Sequence, residues 1–289
     1  MYLIQTSIKK FCSLKKTMND TLAIITVSFN KKAVSQLVES LTNQADKNFK
    51  LYIVDTSGNN DSFPELTSSM KVLKRSNEGY AYAVNEGIKE AMKDALDKFC
   101  VINDDTFVEE NFTLTVLKSI KSHPSSLIGG KIYYAPEHEY HKDRYSKKEH
   151  GKVLWYAGGK VDWAHSQPKH LGVDEVDKKQ FDKIEETEFI TGCLMVFDKE
   201  VVESIGLLDE SYFLYYEDAD YCERAKLAGL KLIYDPSIKI WHLVSQSTDG
   251  SGSKLHQRYQ RKNLVKFALK YAPCRTKLHV LKNYFFGGR

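Results

Sequence analysis

Hydrophobic positions in the first third of the chain alternate between continuous runs and helical spacing. Residues 22–29 (LAIITVSF) and 51–55 (LYIVD) are apolar and rich in β-branched side chains, as is typical of strands buried on both faces. Between these runs, apolar residues recur on one helical face at Ala33, Leu37, Val38 and Leu41. The pattern therefore predicts a strand, a helix and a second strand, in that order.

The same alternation continues to about residue 104. A short strand is predicted around Lys71–Leu73, and the run FCVIND closes another. The helix predicted between them has an apolar face made of Ala83, Val84, Ile88, Ala91, Met92 and Ala95. Strands joined by crossover helices lie parallel, and ligands bind at the edge where their carboxyl ends meet. We therefore expect an α/β fold with a mostly parallel, Rossmann-like sheet flanked by helices.

Polar side chains follow three of the predicted strands at this edge. Asn30 ends the first strand, Asp55 ends the second, and Asn103, Asp104 and Asp105 follow the fourth. Their oxygen atoms are suited to Mg²⁺ or Mn²⁺ bridging a diphosphate. Asn and Asp are also common in caps and turns, so this cluster alone is a weak signal. Its position nevertheless predicts one polar site.

A second group of polar residues lies in the last third of the chain. Glu217, Asp218 and Asp220 stand among aromatic residues at the start of a predicted helix. One carboxylate there is accounted for by capping, but three exceed that need, and one beside a cleft can act as a general base. His242 lies in the strand-like run IWHL, where a core histidine and a metal ligand are both open interpretations.

Composition excludes several classes of protein. With 289 residues and 42% hydrophobic content, the chain can bury a full core. A net charge of +4 from 42 basic and 38 acidic residues argues against a dedicated nucleic-acid binder. No apolar stretch approaches the roughly 20 residues of a membrane span, and the start lacks a signal-peptide core. We therefore expect a cytoplasmic protein, and the five cysteines, without a CxxC pair, indicate reduced thiols, three of them in the core.

The chain is predicted to have three parts. Residues 1–20 form a disordered or peripheral extension, and residues 21–250 form one domain. Within that domain, residues 21–130 contain the polar strand ends and residues 131–250 contain the second polar group. Residues 251–289 form a basic helical segment that mixes Lys and Arg with Phe, Tyr and Leu. Contact with an anionic membrane surface on the inner face of the plasma membrane is one interpretation; packing on the domain or a homodimer contact is the other.

The motifs of the chain, taken in order, resemble a known enzyme family. They read VSFN, IVDTS, NEGYAYAVNEGI, NDDT, GG, TGCLMVF, GLLDESYFLYYEDADYCERAKLAG and IWH. This series resembles family 2 glycosyltransferases of the GT-A fold, in the bacterial rhamnosyltransferase-like and galactofuranosyltransferase-like subgroup, over roughly residues 22–270. The resemblance implies metal-dependent, inverting transfer of a sugar from a nucleotide-diphosphate donor to a hydroxyl of a cell-surface glycan or lipid-linked acceptor.

The resemblance makes 21–250 the catalytic domain, with 21–130 as the nucleotide-binding half and 131–250 as the acceptor and catalytic half. It also implies a role for individual residues. It places the donor against Ser28, Asn30, Asp55, Asn77, Gly79, Asn85, Asn103 and Asp104. It assigns Mg²⁺ or Mn²⁺ to Asp105 and His242, and the catalytic base to Asp218. On the acceptor side we expect Trp155, Trp163, Gly192, Tyr216 and Glu217. For the two tryptophans, ordinary core packing is an equal alternative.

The subgroup makes dTDP-rhamnose the first expectation for the donor, with UDP-galactofuranose or a UDP-hexose next. Two other classes share parts of this pattern. A sugar nucleotidyltransferase would show a Gly-rich, basic signature after the first strand, where this chain reads VSFNKKAVS. A non-catalytic carbohydrate-binding protein would not need Asp105, Asp218 and His242 together. Both alternatives are therefore less well supported than a glycosyltransferase.

Overall fold

The computed structural model describes residues 20–59, 62–63, 65–244 and 254–286. The first part of the chain follows the predicted alternation. Its elements are β1 (Leu22–Ser28), α1 (Ser35–Thr42), β2 (Phe49–Asp55), β3 (Met70–Lys74), α2 (Tyr80–Lys93) and β4 (Lys98–Ile102). The prediction for the N-terminal extension lies, except for Asp20, outside the described residues.

The remaining elements add further strands and helices. They are β5 (Thr106–Val108), α3 (Phe112–Ser122), β6 (Ser126–Tyr134), β7 (Leu154–Tyr156), β8 (Gly159–Asp162), β9 (Gln167–His170), β10 (Glu185–Glu186), β11 (Leu194–Asp198), α4 (Lys199–Ile205), α5 (Glu217–Leu227), β12 (Lys231–His242), α6 (Lys254–Tyr271) and α7 (Cys274–Phe286). Two of these strands, β8 and β9, form a separate two-stranded sheet. The predicted basic C-terminal segment is confirmed as helical, as the two helices α6 and α7.

The central sheet has the strand order β10-β12-β6-β11-β4-β1-β2-β3, with β5 beside β12 and β7 beside β6. Strands β4, β1, β2 and β3 run parallel, as do β6 and β12, which confirms the predicted α/β architecture. Strand β11 runs antiparallel between β4 and β6. Because Leu194 at the start of β11 pairs with Ile102 at the end of β4, the residues before β11 lie at the carboxyl edge of the parallel strands.

The hydrophobic core lies on both faces of this sheet. Every residue of β1 is buried, as its continuous apolar run predicted. Cys100, Cys193 and Cys222 are buried free thiols, which confirms the prediction for three of the cysteines. No helix in the described part of the chain is both long and apolar enough to cross a membrane.

Candidate active site

The carboxyl edge of the sheet opens into a cavity of about 460 Å³, a size typical of pockets for small ligands. The turn after β4, the end of β12, the start of α5 and the segment before β11 all contribute to its wall. Nine of the predicted site residues line it: Asn103, Asp104, Asp105, Trp155, Gly192, Tyr216, Glu217, Asp218 and His242. The structure thus brings these nine residues together in one cavity, and their individual roles stay predictions.

Asp105 and His242 come together because β5, directly after Asp105, pairs antiparallel with the end of β12. The His242 Nε2 atom lies 3.1 Å from Asp105 Oδ1, and both side chains are buried. Burial, and next the charge of Asp105, raise the pKa of Asp104 well above its ordinary value. Burial disfavours a charged His242, but the neighbouring Cys193 and Asp105 outweigh it and raise the pKa of His242. Several titratable side chains thus lie close together in a buried part of the cavity.

Asp218 is held at the start of α5 by two backbone groups. Its Oδ2 accepts a hydrogen bond from the Gly192 N–H at 2.9 Å, and its Oδ1 accepts one from the Ala219 N–H at 2.8 Å. Burial raises the pKa of Asp218, while these two N–H groups oppose the rise. Glu217 is more deeply buried, and burial together with the charge of Asp218 raises its pKa well above the usual range. The pair therefore favours one negative charge, carried by Asp218.

The residues before Glu217 form an unusual turn. Tyr215 and Tyr216 adopt the left-handed conformation in succession, with φ of 67° and 72°. This conformation costs a residue with a side chain roughly 1–2 kcal/mol, so the surrounding structure must hold it. The buried Tyr216 hydroxyl donates to the Ser166 carbonyl at 3.4 Å, and the Tyr216 carbonyl accepts from the Asp220 N–H at 2.9 Å. Backbone strain of this kind is often found at functional sites.

Tyr80 is a site residue that the sequence analysis missed. Its hydroxyl, at the start of α2, lies 3.2 Å from both Asn103 Oδ1 and the Gly192 carbonyl, and it lines the cavity. Burial, and next the charge of Glu217, raise the pKa of Tyr80 well above its ordinary value, so the hydroxyl stays protonated. Tyr80 thereby connects the turn at Asn103 to Gly192, whose N–H group donates to Asp218. In the sequence, the position of Tyr80 directly after Gly79 is the feature that could have indicated a place near the site.

His170 on β9 was also missed. Its ring lies edge-on against Trp155, with 4.4 Å between ring centroids, and both residues line the cavity. Burial lowers the pKa of His170 to about 4, which keeps the ring neutral. Trp155 also contacts the ring of His242 edge-on at 4.7 Å. Trp155 therefore lines the cavity and packs against His242, and its predicted contact with the acceptor stays a prediction.

Trp163 lies elsewhere, and its predicted acceptor position requires correction. Its indole stacks on the Phe267 ring of α6, with 5.8 Å between centroids and 7° between planes. Together with Leu264, it also packs against the small cluster around Ala268. Trp163 therefore fits the alternative interpretation, ordinary packing, because its ring packs against α6.

Asn85 also requires correction, because its amide is fully engaged away from the cavity. The Asn85 Nδ2 donates to the Leu208 carbonyl at 2.9 Å and to Glu210 Oε1 at 2.8 Å, and its Oδ1 accepts from the Leu208 N–H at 3.0 Å. A buried asparagine with these three bonds anchors residues 208–210 on α2. It has a structural role in place of the predicted contact with the donor.

Gly79 allows a close backbone approach, which in this structure is to Phe213, and its predicted approach to a phosphate stays a prediction. Its φ is 111°, and a Cβ atom at this position would lie 2.7 Å from the Phe213 carbonyl oxygen. The next residue, Tyr80, donates its N–H to the same oxygen at 2.8 Å. Glycine is therefore required here for packing α2 against the segment that leads to Asp218.

Ser28 and Asp55 are neighbours at the ends of β1 and β2. Both are buried beside the cavity, whose wall includes Val27 and Phe29 on either side of Ser28. Burial would raise the pKa of Asp55, but hydrogen bonds from Ser57 and Lys31 hold it below its ordinary value. Asp55 is thus an ionised side chain at the predicted nucleotide edge, and its contact with the donor stays a prediction.

Asn30 and Asn77 are exposed and do not line the cavity. Asn30 Oδ1 accepts from the Lys32 N–H at 3.1 Å, and Asn77 Oδ1 accepts from the Gly79 N–H at 3.4 Å. Both amides therefore stabilise turns after strands of the nucleotide half, and their donor contacts stay predictions.

A family comparison decides the class of protein. The model of glycosyl transferase family 2 matches residues 23–206, more than half of the chain. The protein belongs to this family. The matched span includes Asp104 and Asp105 but ends before Asp218 and His242, so the roles of the last two rest on their position in the cavity.

Similar proteins support this assignment. The chain is 21% identical over 234 residues to the dTDP-rhamnosyl transferase RfbF of Shigella flexneri, covering 80% of this chain and 72% of RfbF. The structure of GalNAc-T7 with UDP, GalNAc and Mn²⁺ aligns with a TM-score of 0.62 at 15% identity, over 86% of this chain and 47% of that chain. The chain thus spans about half the length of GalNAc-T7.

A second solved structure covers more of both chains. The mannosyltransferase PcManGT from Pyrobaculum calidifontis, in complex with GDP-Man and Mn²⁺, aligns with a TM-score of 0.50 at 14% identity, over 92% of this chain and 70% of that chain. At these identities the structural similarity establishes the fold alone. The protein is therefore a family 2 glycosyltransferase with the GT-A fold.

Proposed function

We propose that this glycosyltransferase moves a sugar from a nucleotide-diphosphate donor to an acceptor hydroxyl, with inversion at the anomeric carbon. One observation carries the proposal: a single cavity contains the Asp105–His242 pair and an Asp218 carboxylate oriented by two backbone N–H groups. The Asp105–His242 pair is suited to the diphosphate leaving group, and the Asp218 carboxylate is suited to the attacking hydroxyl.

The donor atoms of Asp105 and His242 fit a divalent cation. Two ligands at right angles, each about 2.1 Å from a Mg²⁺ ion, are about 3.0 Å apart, close to the 3.1 Å between Asp105 Oδ1 and His242 Nε2. In the described residues, no group of three or more His, Cys, Asp or Glu side chains forms a metal site. A Mg²⁺ or Mn²⁺ ion at this pair would take its remaining ligands from diphosphate oxygens and water, as is common for such ions.

In the proposed reaction, Asp218 accepts the proton of the acceptor hydroxyl while that oxygen forms a bond to C1 of the sugar. The bond from C1 to the diphosphate oxygen breaks, and a single displacement inverts the centre. A bound divalent cation would neutralise the charge that develops on the diphosphate. The Gly192 and Ala219 N–H groups keep the Asp218 carboxylate oriented, and a protonated Glu217 avoids a second negative charge beside it.

For the donor we propose dTDP-rhamnose first, because RfbF is named a dTDP-rhamnosyl transferase. UDP-galactofuranose and UDP-hexoses come next. The test is release of nucleotide diphosphate from a panel of dTDP- and UDP-sugars, with Mn²⁺ or with chelator. Release from one donor, dependent on the metal, is the expected result. Absence of both release and donor binding by calorimetry across the panel would contradict the proposal.

The raised pKa of Asp218 predicts the pH dependence of transfer. The base acts only when deprotonated, so the rate falls as the pH decreases through its pKa. Because burial raises that pKa above the ordinary 3.8, the acidic limb of kcat should lie at a higher pH than for an exposed aspartate. The pH at which kcat falls should not change when the Mn²⁺ concentration is raised tenfold. A limb that moves with Mn²⁺ would instead report protonation of metal ligands.

We further propose that α7 contacts an anionic membrane that carries the acceptor. No Asp or Glu occurs after Asp249 in the sequence. On the outer face of α7, Leu278 and Phe285 are 70% and 69% exposed and alternate with the exposed Arg275 and Lys282. Charge repulsion disfavours a homodimer contact through this basic face. Anionic lipid complements both the charge of the face and its apolar side chains.

Replacing Leu278 with glutamate should weaken binding to phosphatidylglycerol vesicles by about tenfold or more, because it removes apolar insertion and adds repulsion. Sedimentation with vesicles measures the effect. Leu227→Glu is the matched control, since Leu227 is 76% exposed at the end of α5. Equal sedimentation of both variants, or a lower molar mass of Leu278→Glu in light scattering, would contradict the proposal.

A further inference from the structure

One face of α6 contacts successive residues of the segment 213–220, which contains the left-handed turn and Asp218. Tyr259 stacks on Phe213 with 4.9 Å between ring centroids, and Phe267 packs against Tyr216 at 5.4 Å. Farther along, Lys270 and the Tyr271 hydroxyl donate to the buried Asp220 at 2.6 and 2.8 Å. The contacts follow the same order in helix and segment, so α6 supports the whole length of the segment.

Asn263 lies at the centre of this face and is completely buried. Its Nδ2 donates one hydrogen to the Leu214 carbonyl at 2.8 Å and the other to the Tyr215 carbonyl at 2.9 Å. Both hydrogens of the amide are therefore used on the backbone where the left-handed turn begins. Gln260, one helical turn earlier, lines the cavity, so this part of α6 directly adjoins the site.

We propose that Asn263 is a positioning residue for transfer: its two hydrogen bonds set the backbone of Leu214 and Tyr215 and thereby place Asp218. The inference rests on the proposed role of Asp218 as the base. Only a side chain with two donors on one nitrogen, at this distance from the helix, serves both carbonyls. An aspartate has the same shape but places its oxygens against the two carbonyl oxygens, leaving both carbonyls without a donor.

The test compares Asn263→Asp and Asn263→Ala with Asn111→Asp, the same change at an exposed position directly before α3 that does not line the cavity. Displacing a reacting group by about 1 Å can reduce the rate about 100-fold. We expect kcat for turnover of the active donor to fall about 30- to 100-fold in both Asn263 variants, with KM for that donor within about threefold of the parent value. The Asn111 control should keep the parent kcat.

Hydrogen exchange measured without any donor separates this inference from the proposed function. Peptides covering residues 211–218 should exchange faster in both Asn263 variants and at the parent rate in Asn111→Asp. Unchanged exchange there, or an unchanged kcat in a folded Asn263→Ala, would overturn the positioning role. If the parent protein turns over no donor while the exchange still accelerates, the structural part of the inference holds and the proposed function fails. A KM increase without a kcat decrease would also overturn it.

Discussion

Replacing Asp218 with asparagine should lower kcat by about 10² to 10⁴, the contribution typical of general base catalysis. Asparagine has the same size but cannot accept the hydroxyl proton. Its amide oxygen can keep only one of the two bonds that Asp218 accepts from the Gly192 and Ala219 N–H groups. Steady-state kinetics with the active donor measures kcat, and calorimetry should show donor affinity close to that of the parent protein.

Asp143→Asn is the matched control, because Asp143 is exposed and does not line the cavity. It should transfer sugar at the parent rate. If Asp218→Asn also transfers at that rate while remaining folded, Asp218 is not the base. A loss of donor affinity equal to the loss of rate would instead assign Asp218 to donor binding.

The second large effect is expected at Asp105. A metal ion that stabilises a developing diphosphate charge contributes several kcal/mol, which corresponds to a loss of about 10² to 10³ in kcat/KM when its carboxylate ligand becomes an amide. In calorimetry, Mn²⁺ should strengthen binding of UDP or dTDP to the parent protein and have little effect on Asp105→Asn. His242→Gln should reproduce the pattern, since Nε2 of His242 lies beside the Asp105 carboxylate.

For this series too, Asp143→Asn is expected to respond to Mn²⁺ as the parent does. Equal enhancement of nucleotide binding by Mn²⁺ in the parent and in Asp105→Asn would show that the ion, if bound, does not use Asp105. Full activity of the parent protein in chelator would contradict metal dependence altogether.

The donor side of the site illustrates the limit of local sequence signals. Asn85 and Gly79 both lie in a motif of the resemblance, yet their side-chain and backbone surroundings are residues 208–213. A buried asparagine and a glycine with a positive φ each indicate that another group lies close to them. They do not tell whether that group belongs to a ligand or to another part of the chain. The two tryptophans show the same ambiguity, and only the position of α6 separated Trp163 from Trp155.

Two polar contacts of the site owe their geometry to long-range pairing. Tyr80 connects Asn103 with the Gly192 carbonyl because β11 pairs antiparallel with β4. Asn263 reaches the Leu214 and Tyr215 carbonyls because α6 packs along the segment 213–220. Neither contact leaves a periodic pattern in the sequence, because each is made by a single polar side chain to partners that are distant along the chain.

The sequence by itself determined the order of strands and helices from β1 to β4 and the polar residues at the ends of β1, β2 and β4. Burial on both faces requires continuous apolar strands, and burial on one face requires helical spacing, so each element records its own environment locally. Tertiary structure alone decided that β5 and β12 bring His242 to Asp105, and that Asp218 meets the Gly192 N–H. The physical reason is that periodicity encodes which face of an element is buried, whereas the identity of the partner depends on how distant elements pair.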